Sequence, residues 1–253
     1  MRPRLIPVLL LDRRRRLVKT VRFGERTYVG DPFNVVRLFN EKEVDEIAVL
    51  DIDATQDKRE PDLGLLRELA SECFMPLSYG GGIAQMQHCE QLNRAGVEKF
   101  IFGDGAFDDA LIDQAVSALG SQAVVACIDV KGGGQAARSH TRSGTLAHPA
   151  SPMELARRLQ DRGVGEVILQ SIDRDGMRDG MDLSLISEVS RQLDIPLVAL
   201  GGAGRLEHLA DALEAGASAV ASGSCFTFIG RLRAVLISYP ERRDFDMLLG
   251  KHP

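Results

Sequence analysis

Pro76-Leu77-Ser78-Tyr79-Gly80-Gly81-Gly82 and Pro196-Leu197-Val198-Ala199-Leu200-Gly201-Gly202 stand 120 residues apart and share one plan: a proline, a short apolar run, a pair of glycines. The same offset maps Glu46 onto Glu166, Ala95-Gly96 onto Ala215-Gly216, and Gly103 onto Gly223. Such agreement at one spacing marks an internal repeat, the signature of a duplicated architecture. Around these anchors, apolar runs short enough for strands fall at residues 5–11, 46–51, 75–79, 99–102, 123–129, 166–171, 196–200 and 219–222. They are too uniformly apolar for strands with one wet face, which suits parallel strands covered by helices. Amphipathic helical patterns lie between them at 32–40, 62–70, 86–95, 108–119, 151–162, 183–193 and 206–215. Alternating strands and helices allow a doubly wound sheet or a (β/α)8 barrel. The duplication decides, because two four-strand halves close on each other as eight strands. The expected fold is α/β: one domain over 1–253, a single (β/α)8 TIM barrel of two half-barrel repeats, about 1–120 and 121–240.

Length and composition agree. A barrel of this kind runs to about 250 residues, and a chain of 253 buries a sizeable core without staples. With 31 Lys+Arg against 36 Asp+Glu, the net charge is -5, which argues against a nucleic-acid polymer as partner. No apolar run approaches the roughly 18 residues of a membrane helix, and the N-terminus lacks a signal peptide's layout. The expected setting is the cytoplasm, away from membranes. Cys73, Cys89, Cys127 and Cys225 are scattered, without the close pairing of a zinc or redox site. They read as reduced thiols, and no metal is expected.

Chemistry in such barrels sits on the loops after the C-terminal strand ends. Gly80-Gly81-Gly82 and Gly201-Gly202-Ala203-Gly204 follow a strand and precede a helix. Glycine lets the backbone approach a ligand, and amides at a helix N-terminus suit an anion. The next strands end in Gly103-Asp104-Gly105 and Gly223-Ser224. Two related pairs on opposite sides predict a phosphorylated small-molecule substrate with a phosphate at each end. At the first pair the alternative of plain tight turns stays open, because Asp104 occupies the place of Ser224 and repels a phosphate unless a cation intervenes.

Asp129 closes the apolar run Val124-Val125-Ala126-Cys127-Ile128. A carboxylate there is costly to desolvate, which marks it as a candidate functional group rather than a loop cap. The basic run at residues 13–16 reads either as a clamp for an anionic substrate or as a solvated, mobile loop. His140 and His148 fall in a Gly/Ser/Thr-rich connection expected to be a long flexible loop, with no metal-ligand company.

Taken in chain order, Arg4-Leu5-Ile6-Pro7, Leu17-Val18-Lys19, Gly30-Asp31-Pro32, Leu50-Asp51-Ile52, Gly80-Gly81-Gly82-Ile83, Ile128-Asp129, Gly163-Val164-Gly165-Glu166 and Ser171-Ile172-Asp173-Arg174-Asp175-Gly176 give a chain-long pattern. It resembles the cyclase subunit of imidazole glycerol phosphate synthase, and the Ser-Ile-Asp-Arg-Asp-Gly run is its most specific part. The resemblance implies no cofactor. It implies a glutaminase subunit docked at the N-terminal face of the barrel, whose ammonia crosses to the C-terminal face. There it reacts with a bis-phosphorylated ribonucleotide intermediate, giving imidazole glycerol phosphate and an aminoimidazole carboxamide ribotide. Two aspartates, ending strands one and five, serve as general acid and base.

Carried over by position, the resemblance assigns Asp129 the strand-five role and sets Lys19, Asp175 and Gly176 beside the substrate. It matches Arg4, Glu46, Lys99 and Glu166 to the charges gating the ammonia passage, with Glu98 beside them for docking the glutaminase. A purely structural salt-bridge ring is the alternative. The strand-one aspartate is missing: counting from Pro7 lands on Leu10, and counting back from Lys19 lands on Leu11. Asp12 would face the same side as position 10, about 6.5 Å further along a continuing strand, and is the candidate replacement. Leu200, Gln170 and Asp53 also replace hydroxyl residues. Sequences of this family without the strand-one aspartate resemble paralogues associated with surface-polysaccharide sugar amidation, which work beside a glutaminase and a separate amidating enzyme. The resemblance thus implies an ammonia-using synthase subunit with a changed acceptor. The alternatives are the ordinary cyclase of histidine biosynthesis, with Asp12 in the missing role, and a non-catalytic barrel that activates the glutaminase and conducts ammonia.

Overall fold

The computed structural model describes residues 2–250. Eight strands run parallel in chain order: β1 (Arg4–Leu11), β2 (Ile47–Asp51), β3 (Leu77–Gly80), β4 (Lys99–Phe102), β5 (Val124–Lys131), β6 (Glu166–Ser171), β7 (Leu197–Leu200) and β8 (Ala219–Ser222). Each pairs with the next, and β8 pairs back with β1 through Arg4↔Ala219 to Pro7↔Ser222. The sheet is therefore a closed (β/α)8 barrel.

Helices α1 (Pro32–Glu41), α2 (Leu63–Glu72), α3 (Met86–Arg94), α4 (Asp109–Leu119), α5 (Pro152–Asp161), α6 (Leu183–Ser190) and α7 (Leu206–Glu214) alternate with the strands, and α8 (Arg242–Leu248) follows the last. No helix among the described residues is long and apolar enough to cross a membrane.

The strands are apolar on both faces because each face has its own core. Ile6, Val8 and Leu10 of β1 point inward, with Ala48, Ile101, Val125, Cys127, Ile168 and Val198. Leu5, Leu9 and Leu11 point outward into the layer shared with the helices. This period-two division aims every second residue at the barrel axis.

The 120-residue repeat has matching local structure. Gly81 and Gly201 take positive φ, +129° and +101°, and press on the backbone of Asp51 and Ser171, which a Cβ would strike. His88 and His208 each bring Nδ1 within 3.3 Å of the amide that precedes their helix, Ala84 and Gly204.

Three connections depart from plain loops. After β1, Leu17–Thr20 and Arg26–Gly30 form an antiparallel ribbon. After β5, the expected flexible loop is instead an ordered ribbon, Arg138–Thr141 with Leu146–Ala147, laid on β5 through Asp129↔His140. Its turn is tied down: the Arg142 amide donates to Asp104 at 2.8 Å and Ser143 Oγ to the Ile52 carbonyl at 3.4 Å. After β8, Phe228–Ile229 pairs with Ala234–Val235 before the chain reaches α8.

Candidate active site

A cavity of about 530 Å³ opens over the C-terminal ends of β2 to β5. Asp51, Gly80, Gly81, Gly82, Gly103, Asp104 and Asp129 line it, and Leu10, Leu50, Ile101, Cys127 and Gln170 contribute as well. Asp129 ends the inward-facing column of β5 and is half-buried. Burial, then the nearby Asp104 carboxylate, push its carboxyl up to about 7. The Cys127 thiol lies below it, donating toward Asp129 Oδ1 at 3.7 Å and Gln170 Oε1 at 3.8 Å. Burial pushes that thiol well up, so it stays protonated. Asp129 is thus a group able to take or give a proton near neutral pH.

Asp12 is not brought to this cavity. β1 ends at Leu11 and a turn begins, so the strand's alternation stops one residue short. The Asp12 carboxylate turns back to accept the amides of Arg14 and Arg16, at 2.9 and 3.0 Å, and the Arg16 guanidinium at 2.7 and 2.9 Å. Burial opposes its ionisation, but the Arg16 bonds outweigh it and hold the carboxyl below the usual range. Leu10 is the strand-one residue that faces the cavity. Asp53 is also turned away: Arg26 grips it at 2.6 and 2.7 Å, and that grip, stronger than the opposing burial, holds its carboxyl down to about 2.

Three of the four arginines of the basic run are held by carboxylates. Arg13 pairs with Asp53 and Asp57, Arg15 with Asp62 at 2.7 Å, and Arg16 with Asp12. None of the four lines the cavity.

A second, tighter pocket of about 20 Å³ lies beside the first, under the ends of β6 to β8. Lys19, Asp175, Gly176, Gly201, Gly202, Gly223 and Ser224 meet there, with Gln170 and Leu200. Lys19 Nζ donates to the Val8 carbonyl. Burial, partly offset by Asp175, pushes its amine down to about 7. Gly223 is packed against this amine, where a side chain would strike Nζ. Asp175 in turn accepts from Thr20 Oγ1 at 2.5 Å. The predicted glycines therefore divide, with one set in the tight pocket and Gly81, Gly82 and Gly103 in the large cavity.

Sequence reading missed Arg26, Lys58 and Arg59, which also line the large cavity. Arg59 holds Asp51 through two bonds of 3.1 Å. No motif announces these arginines, since each is placed by a carboxylate distant along the chain or across a turn. Among the described residues, no three His, Cys, Asp or Glu side chains gather as a metal site would require.

At the opposite end, Arg4, Glu46, Lys99 and Glu166 form a closed ring. Arg4 pairs with both Glu46 and Glu166, and Lys99 Nζ reaches the same two at 2.8 and 3.3 Å. Ser78 Oγ donates to Glu46 as well. Burial opposes charge on Glu46, but Lys99, Ser78 and Arg4 together keep its carboxyl below the usual range. Above the ring, Ile6, Val8, Ala48, Val125, Ile168 and Val198, with Leu50, Ile101 and Leu200, enclose a small apolar void of about 10 Å³. Leu50 and Ile101 also line the large cavity, so a layer of apolar side chains separates that small void from the mouth.

A family model described as Histidine biosynthesis protein matches residues 4–232. A Pseudomonas aeruginosa protein named "Putative imidazole glycerol phosphate synthase subunit hisF2" is 47% identical over 249 residues, covering 97% of this chain and 99% of its own. A Leptospira borgpetersenii protein with the name ending "subunit HisF" is 43% identical over 252 residues, covering 98% and 99%. The imidazole glycerol phosphate synthase subunit HisF of Exiguobacterium sibiricum is 36% identical over 243 residues, covering 96% and 95%.

Proposed function

The chain belongs to the histidine biosynthesis protein family as a HisF-like, cyclase-type subunit, and on that premise we propose that it is the ammonia-using synthase subunit of a glutamine-dependent amidotransferase whose acceptor has changed. A HisH-type glutaminase docks at its N-terminal face in the cytoplasm, and the ammonia goes to a sugar destined for surface polysaccharide.

One contrast carries this reading. At the mouth, Leu10 occupies the strand-one position and Asp12 is committed to Arg16, while the four-charge ring below is complete. Ammonia enters where the ring loosens. An apolar layer favours the neutral molecule, because stripping water from ammonium costs far more. Asp129 manages the proton where that layer meets the cavity. Lys19, Asp175, Gly176, Gly201, Gly202, Gly223 and Ser224 hold a phosphate, with Lys19 exchanging the Val8 carbonyl for it. Asp104 stands beside Gly81, Gly82 and Gly103 where the other half of the repeat has Ser224, and this altered lining supports a different acceptor.

The test is purified protein with the bis-phosphorylated intermediate and ammonium salt, followed by ultraviolet absorbance. The expected result is no turnover above buffer. Turnover abolished by Asp129→Asn would reinstate the ordinary cyclase. A HisH-type glutaminase is expected to hydrolyse glutamine faster with this chain present; an unchanged rate removes the partner.

A further inference from the structure

After β8 the chain builds the short ribbon of Phe228–Ile229 and Ala234–Val235, extended by Leu236 N to Thr227 O and Ser238 N to Phe226 O, each 2.9 Å. Its inner side is anchored: Phe226 and Phe228 are buried, and Tyr239 packs on Phe226 with ring centroids 5.4 Å apart. Arg178 holds the ribbon's root upright, donating to the carbonyls of Gly230 at 3.0 Å, Phe228 at 3.3 Å, and Gly204 just ahead of α7. The outer side is left uncovered by the described residues. Leu232, at the tip, is 96% exposed, and Ile229, Val235 and Leu236 are about half-exposed. A ribbon this short has little stability of its own, and a group of exposed apolar side chains within a charged rim marks an interaction surface.

The charges say what kind. The ribbon and its continuation, residues 226–240, carry Arg231 and Arg233 and no carboxylate. Glu207, Asp211 and Glu214 are exposed on α7 at spacings of four and three, which sets them on one face of the helix. Glu207 is close enough to the ribbon's root to act on the Cys225 thiol. The basic, apolar ribbon thus rises from a root that lies near the start of the acidic stripe, where Glu207 also pairs with Arg205 at 3.7 Å. That stripe would be repelled by anionic lipid headgroups. It is, however, the complement of the tip: a two-fold axis between ribbon and α7 sets Arg231 and Arg233 of each copy against Glu207 and Asp211 of the other. The apolar side chains offer roughly 400 Å² per copy, and their charged surround brings the face toward the about 800 Å² per partner of a standard interface. We propose that this face joins two copies of the chain.

Sedimentation equilibrium of the full chain tests it. The expected mass rises from 27.6 kDa toward twice that value across about two decades of concentration. Leu232→Asp is expected to weaken the dimer at least about tenfold, as is Arg231→Glu with Arg233→Glu. Adding Glu207→Arg and Asp211→Arg to the latter variant restores dimerisation, an outcome that mere misfolding does not produce. A 27.6 kDa species at every concentration overturns the proposal. So does a dimer indifferent to all these substitutions, and so does a monomer that pellets with phosphatidylserine vesicles, which assigns the face to lipid.

Discussion

Asp129 shows how one position sets a pH dependence. Its carboxyl sits at about 7 in the folded protein, because burial and the Asp104 carboxylate disfavour its charge. In the unfolded chain it titrates near an ordinary aspartate, at about 3.9. The folded state therefore holds the extra proton between these values, and stability falls as pH rises through that window. Asp129→Asn removes the penalty. Urea denaturation is expected to find the variant more stable at pH 8, by about 1–2 kcal/mol once the open mouth's screening is allowed for. Near pH 4 that advantage disappears, so a constant difference at both pH values would contradict the assignment. Asp12 gives the opposite lesson about residue-level reading. Counting from Pro7 picked out Leu10, which lines the mouth, but extending the strand's parity one residue past its end misplaced Asp12. What turned Asp12 was a local competition, two amides and a guanidinium within four residues, which outbids the strand's alternation. Asp12→Ala is expected to cost about 1–2 kcal/mol by removing those bonds, measured by thermal melting.

At the level of elements, strands and helices were legible where periodicity is strong. Every barrel strand is apolar enough to announce itself, and the glycines at 81 and 201 mark where β3 and β7 hand over to α3 and α7. The ribbons were not legible. The one after β5 hides in a Gly/Ser/Thr-rich stretch with two-residue pairings, too short to show alternation. It exists because distant groups tie it: Asp104 to the Arg142 amide and Ile52 to Ser143. These bonds predict how it fails. Asp104→Ala removes the carboxylate acceptor, and hydrogen exchange of the amides at 138–147 is expected to accelerate about tenfold while β4 and β5 keep their protection. Uniform acceleration across the barrel would mean that Asp104 supports the fold as a whole rather than the strap.

For the whole molecule, closure of the barrel gathers four charges from four strand starts that lie 42 to 162 residues apart. No local pattern shows that Arg4 and Lys99 share the same two carboxylates. The repeat reveals Glu46 and Glu166 as counterparts, and only the closed sheet shows what they hold. The ring is neutral, with its carboxylates buried and its cations partly so. Such an assembly responds to imbalance more than to loss of contacts. Glu166→Ala leaves two cations on one carboxylate and is expected to cost about 3 kcal/mol in urea denaturation. Removing one charge of each sign, with Lys99→Met and Glu166→Leu together, leaves Arg4 paired with Glu46 and fills the vacated space with apolar atoms. That double variant is expected to be more stable than Glu166→Ala, with a coupling of about 1–3 kcal/mol in the Lys99→Met and Glu166→Leu cycle. Additive costs would mean that each side chain acts on its own, and the ring would then be four separate contacts rather than one unit.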